Sequence, residues 1–183
     1  MAYLLNAEEI EYEDFSLSGS RVKVTEIAAV DYRRGVITLR DPVLNPDLEG
    51  KWLIVSKKNY SSGYRVDKVL NEKSFSIGDQ SCIVGRTSIQ GIDFENGGIK
   101  IPLMLPFTKP GMGLMGEDGE VKYRIASTKG ALLQCEGVIK VEGKLHEDAY
   151  PDLNGDGKRT LYIIDLMVGD KVIIPVSTIF ISR

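Results

Sequence analysis

The chain has 183 residues, 43% of them hydrophobic and 27% charged, which suits one large domain or two small ones with a buried core and a wet surface. Its net charge is −3 and its basic residues never run longer than two, as at Arg33-Arg34 and Lys57-Lys58, so nothing in it can neutralise a row of phosphates. Nucleic acid and an anionic membrane are therefore excluded as expected partners.

No apolar run approaches the roughly 20 residues that span a bilayer. The segment from Met1 to Asn6 is too short, and too acidic downstream, for a signal peptide. At face value the chain is cytoplasmic, unless it is a piece of a longer secreted protein. Two cysteines, Cys82 and Cys135, lie among apolar residues and read first as buried thiols, with a disulfide as the alternative. With one histidine and no Cys-x-x-Cys, a thiolate metal site is not expected.

In chain order, Asn6-Ala7-Glu8-Glu9 is the only helical hint, a cap and first turn. Val22 and Val24 share one face of a first strand, and the apolar phase slips at Ile27, which predicts a bulge. A turn at Arg33-Arg34-Gly35 leads into Val36-Ile37-Thr38-Leu39, and Asp41 to Gly50 is a loop. Trp52-Leu53-Ile54-Val55 is continuously apolar and predicts a central strand buried on both faces. Short strands follow at Tyr64 to Val69, Phe75 to Ile77, Cys82 to Val84 and Ile89 to Phe94, with a reversal at Asn96-Gly97-Gly98.

Pro106 to Gly119, rich in proline and glycine, is the predicted boundary, so the expected organisation is an N-terminal β subdomain over 1–105, a linker over 106–119 and a C-terminal β subdomain over 120–183. Beyond it, Val121 to Ile125 alternates, and Leu133, Cys135, Ile139 and Val141 share one parity of a long strand. Leu161 to Val168 and Lys171 to Ile181 flank Gly169-Asp170, where a two-residue hairpin turn belongs. The expected fold is all-β, an antiparallel β-sandwich or two small packed β subdomains. Both halves follow a loose order of strand, loop, strand and hairpin, with no exact repeat.

The sharpest motif is Asp152-Leu153-Asn154-Gly155-Asp156-Gly157-Lys158. Oxygen side chains at Asp152, Asn154 and Asp156 can converge on one hard cation, and Gly157 allows the sharp turn, as in the first half of an EF-hand loop. The twelfth position, where a bidentate Glu belongs, is Ile163, so a helix–loop–helix site is excluded. A Ca²⁺ loop between strands, with Asp148 or Asp165 as a further ligand, stands against a plain Asx turn in which Lys158 neutralises the acids.

His146, beside this loop, reads as a solvated side chain without a base's partner or pocket. Gly111 to Gly116 fits Gly-x-Gly-x-x-Gly but lacks the strand–helix setting of a nucleotide site. Tyr60 and Tyr64 lie near Trp52, with Arg65 and Asn59 as polar neighbours. Aromatic faces stack on sugar rings, so Tyr60, Tyr64 and Arg65 are candidate ligand-binding residues, against ordinary core and rim aromatics. No residues assemble as catalytic ones.

The order Val22-x-Val24, Gly35-Val36-Ile37-Thr38-Leu39, Asp41-Pro42, Leu48-x-Gly50-Lys51, Tyr64-Arg65-Val66, Ile77-Gly78-Asp79 and Ile83-Val84-Gly85-Arg86 resembles the C-terminal β region of heparinase II/III-like polysaccharide lyases. The run from Asp152 to Gly157, followed by Val168-Gly169-Asp170, is similar to the same region. The resemblance implies a non-catalytic accessory β module of such a carbohydrate-active protein, with other domains of a parent enzyme and polysaccharide as partners. It implies a secreted or periplasmic setting. The lyases' acid–base residues find no match here. The alternative is a free-standing carbohydrate-binding or adhesion module with a calcium loop.

Overall fold

A computed structural model describes residues 22–131 and 136–175 of the chain. They are almost wholly β, the only helix among them being a 3₁₀ turn at Pro46–Leu48. Asn6 to Glu9, Leu133, Cys135 and the end of the last expected strand lie outside the described residues. Among the described residues no helix is long and apolar enough to cross a membrane.

The chain divides into two compact units, one built from the residues up to Ser81 together with those from Leu166, the other from Cys82–Asp165. The first holds β1 (Val22–Asp31), β2 (Val36–Leu39), β3 (Trp52–Ser56), β4 (Ser61–Arg65), β5 (Lys68–Val69), β6 (Ser74–Ser76) and β14 (Lys171–Pro175). They form one antiparallel sheet in the order β4-β3-β14-β1-β2-β6-β5. The second holds β7 (Ile83–Ile89), β8 (Gly91–Asp93), β9 (Gly98–Ile101), β10 (Gly113–Met115), β11 (Val121–Ala131), β12 (Glu136–Val141) and β13 (Arg159–Ile164). Their order is β7-β13-β10-β11-β12-β9-β8, again antiparallel.

The phase slip in β1 is the bulge it predicts. Val22 to Glu26 pair with β14, Ile27 to Asp31 pair with β2, and the register shifts between Ile27 and Ala29. Thr25 and Ile27 point into the core, Ala28 and Ala29 out, and the inward parity resumes at Val30, so one extra residue turns the strand. The inward face is Thr25 and Ile27, not Val22 and Val24. Val22 packs instead with Ile54 and Ile173 in a small cluster of its own. That explains the unbroken apolar run in β3: Leu53, Ile54 and Val55 are all buried, while Trp52 at the strand's start is 42% exposed.

Two expectations fail on the pairing. The Pro/Gly-rich stretch at 106–119 is no linker: β10 lies inside it, in the middle of the second sheet, with Met112 to Gly116 all buried. The division falls at Ser81/Cys82 and Asp165/Leu166 instead. Gly169-Asp170 does not close a hairpin, because β13 and β14 belong to different sheets. Glycine and proline mark where the backbone turns; they do not say which strand it turns towards.

The two sheets are the same sheet under a cyclic shift of strand order. Strands β14, β1, β2, β3, β4, β5 and β6 correspond to β10, β11, β12, β13, β7, β8 and β9, and every ladder of one sheet has its counterpart in the other. Ile27 opposite Leu39 corresponds to Ile125 opposite Val141, and β11 carries the same bulge, between Ile125 and Ser127. The Ile27 amide donates to Asp170 O at 2.9 Å and its carbonyl accepts from Gly169 at 2.8 Å; Ile125 does the same with Met112 and Gly111, at 2.7 and 2.9 Å. Gly169 and Gly111 share a left-handed conformation, φ 92° and 95°. The units differ in where the chain is open. The hairpin joining β3 to β4 has as its counterpart the free ends of β13 and β7, where Asp165 N–H donates to Cys82 O at 2.8 Å.

Candidate functional site

The Asp152 loop leaves the end of the β12–β13 connection and is built on its own carboxylates. Asp152 accepts from the Gly155 and Gly157 amides, at Oδ1 (3.1 Å) and Oδ2 (2.8 Å). Asn154 Oδ1 accepts from the Asp156 amide at 3.2 Å, and Asp156 Oδ1 from the Lys158 amide at 2.8 Å. Gly155 and Gly157 both hold positive φ, 72° and 81°, which lets the backbone wrap the Asp152 side chain. These bonds make a ladder of Asx turns, with side-chain oxygens on the inside of the curve.

A third acid joins from elsewhere in the second unit. Glu117 sits in the β10–β11 turn, and its Oε2 accepts the Leu153 amide at 3.2 Å. Carboxylate oxygens of Glu117, Asp152 and Asp156 all lie within 4.8 Å of one another. Calcium binds oxygen at about 2.3–2.6 Å, so oxygens on one coordination sphere stand no more than roughly 5 Å apart, and these three meet that condition. Asp148 and Asp165 do not belong to the cluster; the further acid is Glu117. Lys158 gives the loop its amide, and no ion pair of its ammonium is found among the described residues.

The turn that carries Glu117 is held firmly. Tyr150 is buried, its ring 6.1 Å from that of Tyr123, and its hydroxyl donates to Leu114 O at 3.2 Å. Burial pushes its phenol well above the ordinary tyrosine range, so it stays a neutral donor. Tyr123 Oη accepts the His146 amide at 2.9 Å, and Lys122 Nζ donates to Ala149 O at 2.6 Å while pairing with Asp118 at 3.0 Å. Burial works against the Asp118 carboxylate, but the Lys122 ammonium and the Glu120 amide hold it below the ordinary range. A Cβ on Gly116 would meet Tyr150 Cδ1 at 3.1 Å, so a side chain there would press on that ring.

Of the other expected residues, His146 is exposed. Tyr64 is buried at 6% exposure in the core of the first unit and offers no face to a ligand, which corrects its place among the candidate binding residues. Tyr60 is half-buried, with Lys57 Nζ 5.9 Å from its ring centre. Arg65 is exposed and stands opposite Trp52 across β3 and β4. Sequence reasoning misses Glu117 because it lies 35 positions from Asp152 and only the β10–β11 hairpin brings it there. Comparison with known proteins gives no match for this chain, in family models, in curated proteins or in solved structures.

Proposed function

We propose that this chain is a non-catalytic β module that holds a calcium ion in the Asp152 loop. The observation that carries the reading is the convergence of Glu117 on Asp152 and Asp156. Three carboxylates within one coordination sphere repel one another by about 1 kcal/mol per pair at 4 Å in water, and more where solvent is excluded. A divalent cation reverses that sign, and Asn154, backbone carbonyls and water complete an oxygen shell. The open loop suits the weak, roughly 10⁻⁴–10⁻³ M affinities of extracellular calcium modules.

The setting, an accessory module beside the catalytic domains of a secreted heparinase II/III-like lyase, is supported by the sequence resemblance. The alternative, a free-standing carbohydrate-binding or adhesion module, is supported by the exposed Trp52 and Arg65. Both take polysaccharide as the partner and give the calcium loop a stiffening role.

Calcium that binds only the folded chain raises its melting temperature by mass action, by about 0.4–1.4 kcal/mol of stability at one to ten times Kd. Melting in millimolar calcium should exceed melting in chelator, and Asp152→Ala with Asp156→Ala, or Glu117→Ala alone, should remove most of the difference. Equal melting in the two buffers would leave the loop an Asx turn. On the same reading the purified chain produces no ultraviolet absorbance rise with heparin, chondroitin or alginate. A rise lost in His146→Ala would make it an enzyme.

A further inference from the structure

The correspondence between the two sheets supplies a control inside one molecule. Several matched core positions carry the same kind of residue in both units: Ile27 and Ile125, Ile37 and Ile139, Leu53 and Leu161, Val55 and Ile163, Val172 and Leu114 are all buried and apolar. The cross-strand pair Trp52–Arg65 has no such match in the second unit. Its counterpart is Thr160–Ser88, so this place in the sheet needs neither an aromatic ring nor a guanidinium.

Trp52 is 42% exposed, although an indole left in water costs more apolar exposure than any other side chain. It lies on the wall of an open cavity of about 260 Å³, with Arg65, Asp67, Asp79 and the Ile77–Gln80 turn around it. The turn is fixed. Gln80 Oε1 accepts the Arg65 amide at 2.9 Å, and its Nε2 donates to Arg65 O at 2.6 Å and to Ile77 O at 2.8 Å, so a side chain caps the outer edge of β4 as a further strand would. Gly78, at φ 60°, brings the turn against Asp67: a Cβ there would stand 3.0 Å from Asp67 Cγ. An indole face thus stands beside two carboxylates and a guanidinium, and all of it lies in the first unit.

We infer that this groove binds one ring of a neutral glycan. The indole face takes the apolar C–H face of a pyranose, the Asp67 and Asp79 carboxylates accept hydrogen bonds from ring hydroxyls, and Arg65 donates to a hydroxyl or ring oxygen. The cavity falls just under the roughly 300–1,000 Å³ of drug-sized sites, which fits a single ring with the chain running out at both open ends. Two carboxylates against one guanidinium leave a net negative rim, which disfavours sulfated and uronic sugars. The inference rests on the carbohydrate-directed alternative above and is independent of the calcium loop in the other unit.

Trp52 is the only tryptophan in the chain, so its emission reports the site directly. The full chain is titrated with neutral oligosaccharides of β-linked glucose, xylose, mannose and N-acetylglucosamine, and with a heparin oligosaccharide. The expected result is a saturable shift of emission with a neutral sugar. By calorimetry, Trp52→Ala should weaken that binding at least tenfold, Asp67→Asn several-fold and Trp52→Phe less than Trp52→Ala, while Glu142→Gln, an exposed change in the other unit, leaves it unchanged. No response to any neutral sugar, response to heparin alone, or wild-type affinity in a folded Trp52→Ala variant would overturn it. Each of these leaves the calcium-dependent melting untouched, so failure here is distinct from failure of the calcium reading.

Discussion

Lys57 and Asp170 form an ion pair almost sealed from water, their side chains 1% and 3% exposed. Asp170 also accepts the Met167 amide at 2.9 Å, which fixes the turn before β14. Removing one member of such a pair strands the other without water, at a cost of about 3–5 kcal/mol. Lys57→Met and Asp170→Ala are each expected to lower stability by that amount in urea unfolding at neutral pH. The double variant should lose less than the sum, because the two changes share one contact. Cys82 makes a different statement about burial. Desolvation pushes its thiol from 9.0 up to about 11, with a further push from Asp165 against the pull of a backbone hydrogen bond. From pH 9 to about 11 the unfolded chain has lost a proton that the folded chain keeps, so stability falls as pH rises through this window. In a Cys135→Ser background, Cys82→Ala should flatten that part of the stability curve, and native Cys82 should resist iodoacetamide at pH 8. The apolar neighbours of Cys82 made its burial legible in the sequence. Trp52 misled for the same reason: an apolar run shows that a strand is buried but not where the burial stops.

Strands β1 and β11 each serve two partners through one extra residue, Ala28 or Ala126. Deleting that residue forces a straight ladder and turns one half of the strand over, because side chains alternate with period two. Deletion of Ala28, or separately of Ala126, is expected to cost about 3 kcal/mol or more, since at least one buried isoleucine worth about 1.5–3 kcal/mol leaves its core and the ladder breaks. Denaturant midpoints measure it, and an effect below about 1 kcal/mol would mean the bulges carry no structural role. The first bulge is legible because the apolar parity shifts at Ile27. The cyclic relation between the sheets is not, since the matched cores exchange Val, Ile, Leu, Phe and Met freely and only the register preserves the match. The motif from Asp152 to Gly157 was legible as a loop that gathers oxygens, but its third carboxylate depends on long-range pairing and left no local signal.

The second unit begins and ends side by side, with Asp165 bonded to Cys82 at 2.8 Å and β13 paired to β7. Closely spaced ends are what allow one unit to sit within the sequence of another. Residues 82–165 expressed alone are expected to fold into a β protein with cooperative melting, and a chain in which Ser81 is joined to Leu166 through a short Gly-Ser linker is expected to retain the first sheet. Circular dichroism and amide dispersion check both; an unfolded 82–165 fragment would contradict the division.

The calcium loop, as the functional claim, is tested most directly by hydrogen–deuterium exchange of the full chain in millimolar calcium and in chelator. The Leu153, Gly155 and Gly157 amides already point at the carboxylates that would hold the ion. Calcium should slow exchange in the segments 114–120 and 150–160 while the first unit is unchanged, and the slowing should vanish in Asp152→Ala with Asp156→Ala. Identical exchange with and without calcium in both segments would contradict the account.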